Sequence, residues 1–357
     1  MNKAIKGKNI LVTGACGTIG SELIRQLINS KIYKPAKIVG LDNNENAVFL
    51  INEKYSNVQK ANFFVSDIRN LDELISKSRN IDIIFHTAAL KHVFLSEKSP
   101  EEVIRTNING IQNLIIAAKE NNIKKVIFTS SDKAVNPTNV MGASKLMGER
   151  LITASNHLLD KISTIFVSTR FGNVLGSNGS VVSVFYDQII NGRPITLTDE
   201  KMTRFIMSVS DAVKLVIDSA DHATGGEVFV TKMPVIRIAD LALAMYEILA
   251  PLHKKKEKIK IVKIGPKPGE KLYEELLNSE EVRRSIEHKN YYIILPAIRS
   301  TKLNIKYNYK NIISKKVKNI YSSHEGPFLK IPEIKQLLIK NKVLEKFNSS
   351  HSNKVRK

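Results

Sequence analysis

Along the first 175 residues, short apolar runs rich in β-branched side chains alternate with longer runs whose apolar positions recur every three or four residues. The short runs are KNILVTG (8–14), KIVGLD (37–42), NFFVSD (62–67), IDIIFHTAA (81–89), KKVIFTSS (124–131) and STIFVSTRFG (163–172). They are nearly continuous in apolar residues rather than alternating, the pattern of strands covered on both faces. Between them, TIGSELIRQLINS places Ile19, Leu23, Leu27 and Ile28 on one helical face. PEEVIRTNINGIQNLIIAAKENN reads as a longer helix with Pro100 near its first turn. Strand–helix alternation with short connections predicts an α/β fold, a doubly wound parallel sheet with right-handed crossovers.

After about residue 175 the rhythm changes. GSNGSVVSVFYDQIINGRPITLTDEKMTRF carries turn signals and a short helix, and GEVFVTKMPVIRIADLALAMYEILA reads as a strand and a helix. The expected organisation is a Rossmann-type domain over 1–175, with a return from about 205–235, and a smaller mixed α/β substrate-binding region over 176–333 that interleaves with it. The lysine-rich stretch 334–357 reads as a final basic helix followed by a disordered polar tail.

Composition narrows the class. Lys and Arg number 55 against 34 Asp and Glu, a formal net charge of +21 with a pI near 9.8. Such a balance favours anionic partners, among them nucleic acid, acidic membrane and phosphorylated small molecules. The basic residues are spread along the chain and partly balanced by acids, and there is no arginine-rich stripe with interleaved aromatics, so nucleic-acid binding is not expected. One cysteine, Cys16, leaves no internal disulfide and suits a reducing cytoplasm. No run approaches the roughly 18 apolar residues of a membrane span. The expectation is a soluble, cytoplasmic protein.

The loop VTGACGTIG follows the first strand and opens the first helix, with Gly14, Gly17 and Gly20 in GxxGxxG spacing. Such glycines permit a tight turn and let backbone approach a pyrophosphate, while the helix N-terminus, through Thr18 and Ile19, offers N–H groups. Asp42 closes the second strand 22 residues past Gly20. A carboxylate there accepts hydrogen bonds from the adenosine ribose and repels a 2′-phosphate, which points to NAD rather than NADP. Cys16 reads as a small filler of this loop and not as a nucleophile.

The GxxGxxG loop and Met141 four residues before Lys145 resemble the extended short-chain dehydrogenase/reductase superfamily. HTAALKHVFLSE (86–97), TNINGIQNLI (106–115), SSDKAVNPTNVMGASK (130–145), RFGNVLGSNGSV (170–181), MTRF (202–205) and KPGEKLYEELL (267–277) narrow the resemblance to the UDP-N-acetylglucosamine 4,6-dehydratases of bacterial polysaccharide and nonulosonate biosynthesis. It covers about residues 6–330. In one branch of that family position 141 is Tyr and C5 of the sugar is inverted; in the other it is Met and C5 is retained. This chain matches the Met branch, and since it starts directly at the first strand it would be a short, soluble version. Lys267 departs from the Arg the family often has there, keeping the charge without the bidentate fork.

The resemblance implies an internal redox cycle on NAD, tightly bound and regenerated at each turnover. Asp132 is the implied acid toward the C6 oxygen and Lys133 the implied base toward H5. Ser131 would hydrogen-bond the C4 hydroxyl, and Lys145 the nicotinamide ribose. Met141 can pack on the sugar or nicotinamide but cannot donate a proton, so Lys91, Lys145 or a water held by Ser131 must accept the C4 hydroxyl proton. Asp67 and Ile68 match the adenine contact, Ala88 and Ala89 the backbone passage past the cofactor, with Lys91 and His92 following toward the substrate. Asn173, Ser180, Arg204, Lys267 and Glu270 match positions that hold the UDP part, Arg204 and Lys267 suiting a diphosphate and Glu270 a ribose hydroxyl. His86 reads as a sheet-packing residue and Asn107 as a structural one near the site. The resemblance further implies a homo-oligomer paired through the helices at about 98–121 and 139–158. A C5-inverting dehydratase, a UDP-sugar C4-epimerase and a non-catalytic NAD-binding regulator are the competing readings. An epimerase has no need of the Asp132–Lys133 pair, and a regulator no reason to keep it.

Overall fold

The computed structural model describes residues 4–156, 164–177, 179–253, 260–298, 305–345 and 347. The chain divides into two compact units. The first comprises 1–171, 212–232 and 276–321, the second 172–211, 233–275 and 322–357.

The first unit is built on one ten-stranded sheet. Six parallel strands, β1 (Asn9–Thr13), β2 (Lys37–Asp42), β3 (Ala61–Val65), β4 (Ile83–His86), β5 (Lys125–Ser131) and β6 (Ile165–Phe171), lie in the order β3-β2-β1-β4-β5-β6. This is the Rossmann-type doubly wound sheet that the apolar runs predict. β4, with all four residues buried, shows why its sequence does not alternate, because helices cover both faces. The order reverses between β1 and β4, and ligands of such sheets bind outside the C-terminal strand ends at that point. The core on one side packs Leu11, Val39, Ile84, Val126 and Phe128 against Ile111, Leu114 and Ile152 of the crossover helices.

Beyond β6 the sheet continues with Val228–Thr231, parallel to β6, and then with Tyr291–Ile294, Ser285–His288 and Ile312–Ser314, all antiparallel. Residues 212–232 group with the first unit. Residues 276–321, expected in the substrate region, belong instead to the first unit. Their strands are short and meet β6 only through Val228–Thr231, a long-range pairing that periodicity cannot reveal.

The helix expected at about 98–121 is one helical run with a break. Pro100–Val103 and Gly110–Glu120 are α-helical, and Ile104–Asn109 between them is a π-turn. A π-turn inserts a residue and re-aims the side chains that follow, commonly at functional sites.

The second unit has a three-stranded sheet of Val235–Arg237, Thr203–Met207 and Asn173–Val174, a parallel pair of Ile195–Leu197 and Ile261–Lys263, and the helices Val181–Ile190, Ile238–Leu252 and Ile331–Lys340. Phe185, Tyr186, Met202, Leu241, Met245, Ile334 and Leu338 share its core. The basic C-terminal helix is therefore an integral part of this unit rather than a separate appendage. Residues 348–357, the expected tail, lie outside the described residues. Among the described residues no helix is long and apolar enough to cross a membrane.

Candidate active site

The glycine loop lies between β1 and α1 (Thr18–Asn29). Gly14 has φ +68°, in the left-handed region, and a Cβ there would stand 2.6 Å from the Ala88 nitrogen. A Cβ on Gly20 would meet the Gly14 carbonyl oxygen at 2.1 Å. Bare backbone at these positions lets α1 start close against the loop, with its first-turn N–H groups, from Thr18, Ile19 and Gly20, at the sheet's C-terminal edge. Gly17 caps the helix without a side-chain bond, and no acidic residue lies in its first turn. Asp42 accepts the Cys16 N–H on Oδ2 at 2.9 Å and the Asn44 N–H on Oδ1 at 3.1 Å, so its carboxylate is held beside the loop. An anion-accepting helix end, a close backbone turn and an oriented carboxylate fit a dinucleotide pyrophosphate and its ribose. Burial, and then the charge of Asp42, push the Cys16 thiol up to about 12, so it is no nucleophile near neutral pH.

Around this cradle the expected residues fall differently. Thr87 and Ala88, just past the end of β4, pass over Gly14, and Ala89 follows them. Asp67 is forked by Arg69, with Nη2 to Oδ2 at 2.6 Å and Nε to Oδ2 at 2.9 Å, and that hydrogen-bonded pairing holds its carboxyl below the usual range. Ile68 is buried and lies against Gly110, where a Cβ would come within 2.7 Å of its Cδ1. Lys91 and His92 are exposed at the start of the helix Val93–Lys98. The loop before them is fixed by Asn107 of the π-turn, whose Oδ1 accepts the Leu90 N–H at 2.8 Å and whose Nδ2 donates to the Leu90 carbonyl at 2.9 Å. Nδ2 also reaches Ser144 Oγ at 2.9 Å, tying this loop to the helix Val140–Ala154.

The candidate chemical centre is the turn that ends β5. Asp132 is 0% exposed. Its Oδ1 accepts from Ser131 Oγ at 2.8 Å and from Lys133 Nζ at 3.0 Å, while Oδ2 is buried with no hydrogen-bond partner among the described residues. Ser131 Oγ in turn accepts the Lys133 N–H at 3.3 Å. An acid and a base thus stand side by side, one of them with an uncommitted buried oxygen. The helix Val140–Ala154 packs on this turn so closely that a Cβ on Gly142 would meet the Lys133 carbonyl oxygen at 2.3 Å. Asn139 caps it by accepting the Gly142 N–H at 2.8 Å. Met141, 4% exposed, and Lys145, 7% exposed, lie one turn apart on it. Lys145 donates to the Thr129 carbonyl at 3.0 Å and overlies the Phe128 ring at 4.8 Å from its centroid. Burial lowers its pKa to about 8, against the opposing pull of Glu149.

His86 packs in the sheet. Nδ1 lies 2.7 Å from Thr13 Oγ1, the ring stacks on Phe128, and burial, reinforced by the Lys145 charge, holds its pKa down to about 3.

The remaining candidates form a group of their own in the second unit. Asn173 is in the strand Asn173–Val174, and Ser180 precedes the helix Val181–Ile190 with its Oγ buried. Lys267 is exposed, in a turn whose carbonyl accepts the Glu270 N–H at 3.1 Å. Arg204, expected to face a diphosphate, is 5% exposed, and its guanidinium donates to the carbonyls of Thr203 at 2.7 Å, Lys271 at 2.8 Å and Leu272 at 3.2 Å. Glu274 and Glu270 approach it at 3.8 and 3.9 Å. It organises the 270–274 loop rather than standing open. The structure also brings Glu149 of the helix Val140–Ala154 together with Arg170 of β6 and Glu281, none of them among the expected site residues. Their signal was a lone arginine in the apolar run STIFVSTRFG and a glutamate four residues past Lys145.

A doubly wound sheet with a GxxGxxG cradle, and a Lys145 helix set against a Ser131-bearing strand end, define an extended short-chain dehydrogenase/reductase. Within that class the chain belongs to the polysaccharide biosynthesis protein family, whose model matches residues 10–296. It is 44% identical over 334 residues to an uncharacterized membrane protein of Methanocaldococcus jannaschii, covering 93% of this chain and 96% of that one. It is 40% identical over 293 residues to a UDP-N-acetylglucosamine 4,6-dehydratase (inverting) of Campylobacter jejuni, covering 82% and 84%, and 35% identical over 340 residues to a UDP-glucose 4-epimerase of Rickettsia canadensis, covering 93% and 95%. Among solved structures, Pen from Bacillus thuringiensis matches with a TM-score of 0.86 and 38% identity over 95% of this chain and 99% of that one.

Proposed function

We propose that this protein is an NAD-dependent hydro-lyase that converts UDP-N-acetylglucosamine to its 4-keto-6-deoxy derivative for surface-glycan sugar synthesis, retaining the configuration at C5. The observation that carries the reading is the Ser131–Asp132–Lys133 turn, a buried carboxyl hydrogen-bonded to an amine at the strand end where the reacting sugar belongs. The dehydratase relative supports it. Bound in the Gly14–Gly20 cradle, NAD supplies a reversible hydride acceptor for C4 oxidation and C6 reduction.

The elimination falls to the turn. With C4 as a ketone, the C5 proton is acidic because the negative charge delocalises into the carbonyl. Lys133 takes that proton, Asp132 protonates the C6 oxygen, the C6–O bond breaks and water leaves. The 3.0 Å Lys133–Asp132 hydrogen bond sets the base and the acid beside one another, so that both can face the C5–C6 bond. Met141 cannot take the C4 hydroxyl proton, and Lys145, brought to about 8 by burial, is the base we assign to it. Lys267, Glu270, Asn173 and Ser180 hold the UDP part, with Arg204 shaping the loop that carries Glu270. Pairing of copies through the 98–121 and 139–158 helices belongs to the same reading.

The test is proton NMR of the purified protein with UDP-N-acetylglucosamine in D₂O. A new C6 methyl signal with deuterium at C5 is expected, and ring couplings in a parallel H₂O reaction should give the retained C5 configuration. Inverted couplings would overturn retention and align the chain with its Campylobacter relative. The epimerase relatives favour a second reading, C4 epimerisation, which would give the C4 epimer with no methyl signal.

A further inference from the structure

Met141, Lys145 and Glu149 stand at i, i+4 and i+8 on the helix Val140–Ala154, so its site-facing side continues into a buried carboxylate. Arg170 of β6 forks that carboxylate, with Nε donating to Oε1 at 2.9 Å and Nη2 to Oε2 at 2.5 Å. The same guanidinium holds both oxygens of Glu281, Nη1 to Oε2 and Nη2 to Oε1, each at 2.9 Å. Its Nη1 also donates to the Leu276 carbonyl at 2.9 Å. Arg170 is 0% exposed. Glu281 is itself fixed in a capping box with Asn278. Four charges therefore alternate along one path, Lys145, Glu149, Arg170 and Glu281, and sum to zero. Stability is a weak reason to bury such a set, because well-packed apolar replacements are often as stable or more so. Control of the charge at Lys145 is a stronger one.

We propose that Arg170 is a positioning residue for Lys145: it sets how much of the Glu149 charge reaches the Lys145 ammonium, and Glu281, on the segment that continues from the 267–275 loop, sets how much of Arg170 is left for Glu149. The proposal rests on Lys145 belonging to the reaction centre. Burial brings Lys145 down and Glu149 pulls it up, so the balance is open to adjustment. Other charged or titratable groups sit on elements packed against this helix. They are Asp132 and Lys133 on the turn, Lys125 on β5, Arg105 in the π-turn, Glu101 and Glu102 just before it, Lys119 and Glu120 at the end of the helix Gly110–Glu120, and Lys98 beside Glu97, whose carboxylate accepts the Val140 N–H at 2.7 Å. His86 stacks on the Phe128 ring that Lys145 overlies. None of these contacts Glu149 or Arg170 in the hydrogen bonds described.

The whole protein labelled with ¹³Cε-lysine, titrated by NMR from pH 6 to 11, reads the Lys145 midpoint directly; its signal is the one lost in Lys145→Arg. No sugar nucleotide and no turnover are involved, so the result stands whether or not the proposed substrate is correct. The midpoint is expected to fall by about one unit in Glu149→Gln and about half a unit in Glu281→Gln. In Arg170→Lys, which keeps the charge but loses the fork, it is expected to rise as Glu149 is less neutralised. General loosening would hydrate Lys145 and raise the midpoint in every variant, so the opposed signs separate the two. A rise in the glutamine variants, or a folded Glu281→Gln with the wild-type midpoint, would overturn the proposal. Glu281→Gln keeps the side chain's shape and an acceptor for Arg170, and Glu149→Gln, whose midpoint should fall where loosening would raise it, gives an independent reading should it misfold.

Discussion

Lys133 and Asp132 carry the chemistry proposed above, and their replacement separates its steps. Lys133→Ala is expected to abolish C5 deuterium incorporation and lower turnover by about 10²–10⁴-fold, the usual span for a general base. Normal deuterium exchange at C5 in that variant would remove Lys133 from the role. Lys145 makes a different prediction, on stability. Its folded pKa of about 8 lies below its ordinary 10.5. The unfolded chain therefore binds more protons between those values, and stability rises with pH across that window. The burial penalty is fully present below pH 8, amounts to roughly 3 kcal/mol and is relieved toward pH 10.5. Lys145→Met lacks this term, so urea unfolding of wild type and variant should converge in the wild type's favour as pH rises from 8 to 10.5. His86 runs the same way in a lower window. Its folded pKa of about 3 lies below its ordinary 6.5, so its neutral packing between Thr13 and Phe128 loses stability as pH falls from 6.5 toward 3.

At the scale of elements, the site depends on two close approaches. The helix Val140–Ala154 touches the Asp132–Ala134 turn through Gly142, and a methyl group there has 2.3 Å to the Lys133 carbonyl where ordinary contact needs more than 3 Å. Gly142→Ala should push turn and helix apart. A displacement on the order of 1 Å costs about 10²-fold in turnover, while the Gly14–Gly20 cradle, on another element, should keep its NAD affinity. Equal loss of both in steady-state kinetics and cofactor titration would mean the substitution acts by unfolding. The family resemblance implied this helix and sequence periodicity most of the other long one, yet neither pointed to the π-turn at Ile104–Asn109. That turn exists because Asn107 must meet the backbone of Leu90, a residue 17 positions away, and a single-helix pattern holds no record of it.

At the scale of the whole chain, stability is shared between two units with separate cores. Ile334 and Leu338, both fully buried, join the helix Ile331–Lys340 to the second core. Leu338→Ala should cost about 2–5 kcal/mol in chemical unfolding. A loss below about 0.5 kcal/mol would show that this helix adds little to the second core. The charge of +21 plays no part in either core, consistent with a composition-wide excess of lysine over acids.

The amino-acid sequence by itself determined the doubly wound sheet, because strands buried on both faces must be continuously apolar, and the cofactor cradle, because its glycines and Asp42 are local in sequence. It also marked Ser131, Asp132, Lys133 and Lys145, which lie within 15 residues of one another. What only the tertiary structure decided are pairings over long separations. The antiparallel strands of 276–321 join the first sheet, Arg204 turns its guanidinium onto the 270–274 loop, and Arg170 meets Glu149 and Glu281, 21 and 111 residues away. A charged side chain in a sequence does not announce its partner. The partner is set by which strand ends and helix faces the sheet brings together, and by the high cost of leaving any buried charge unpaired.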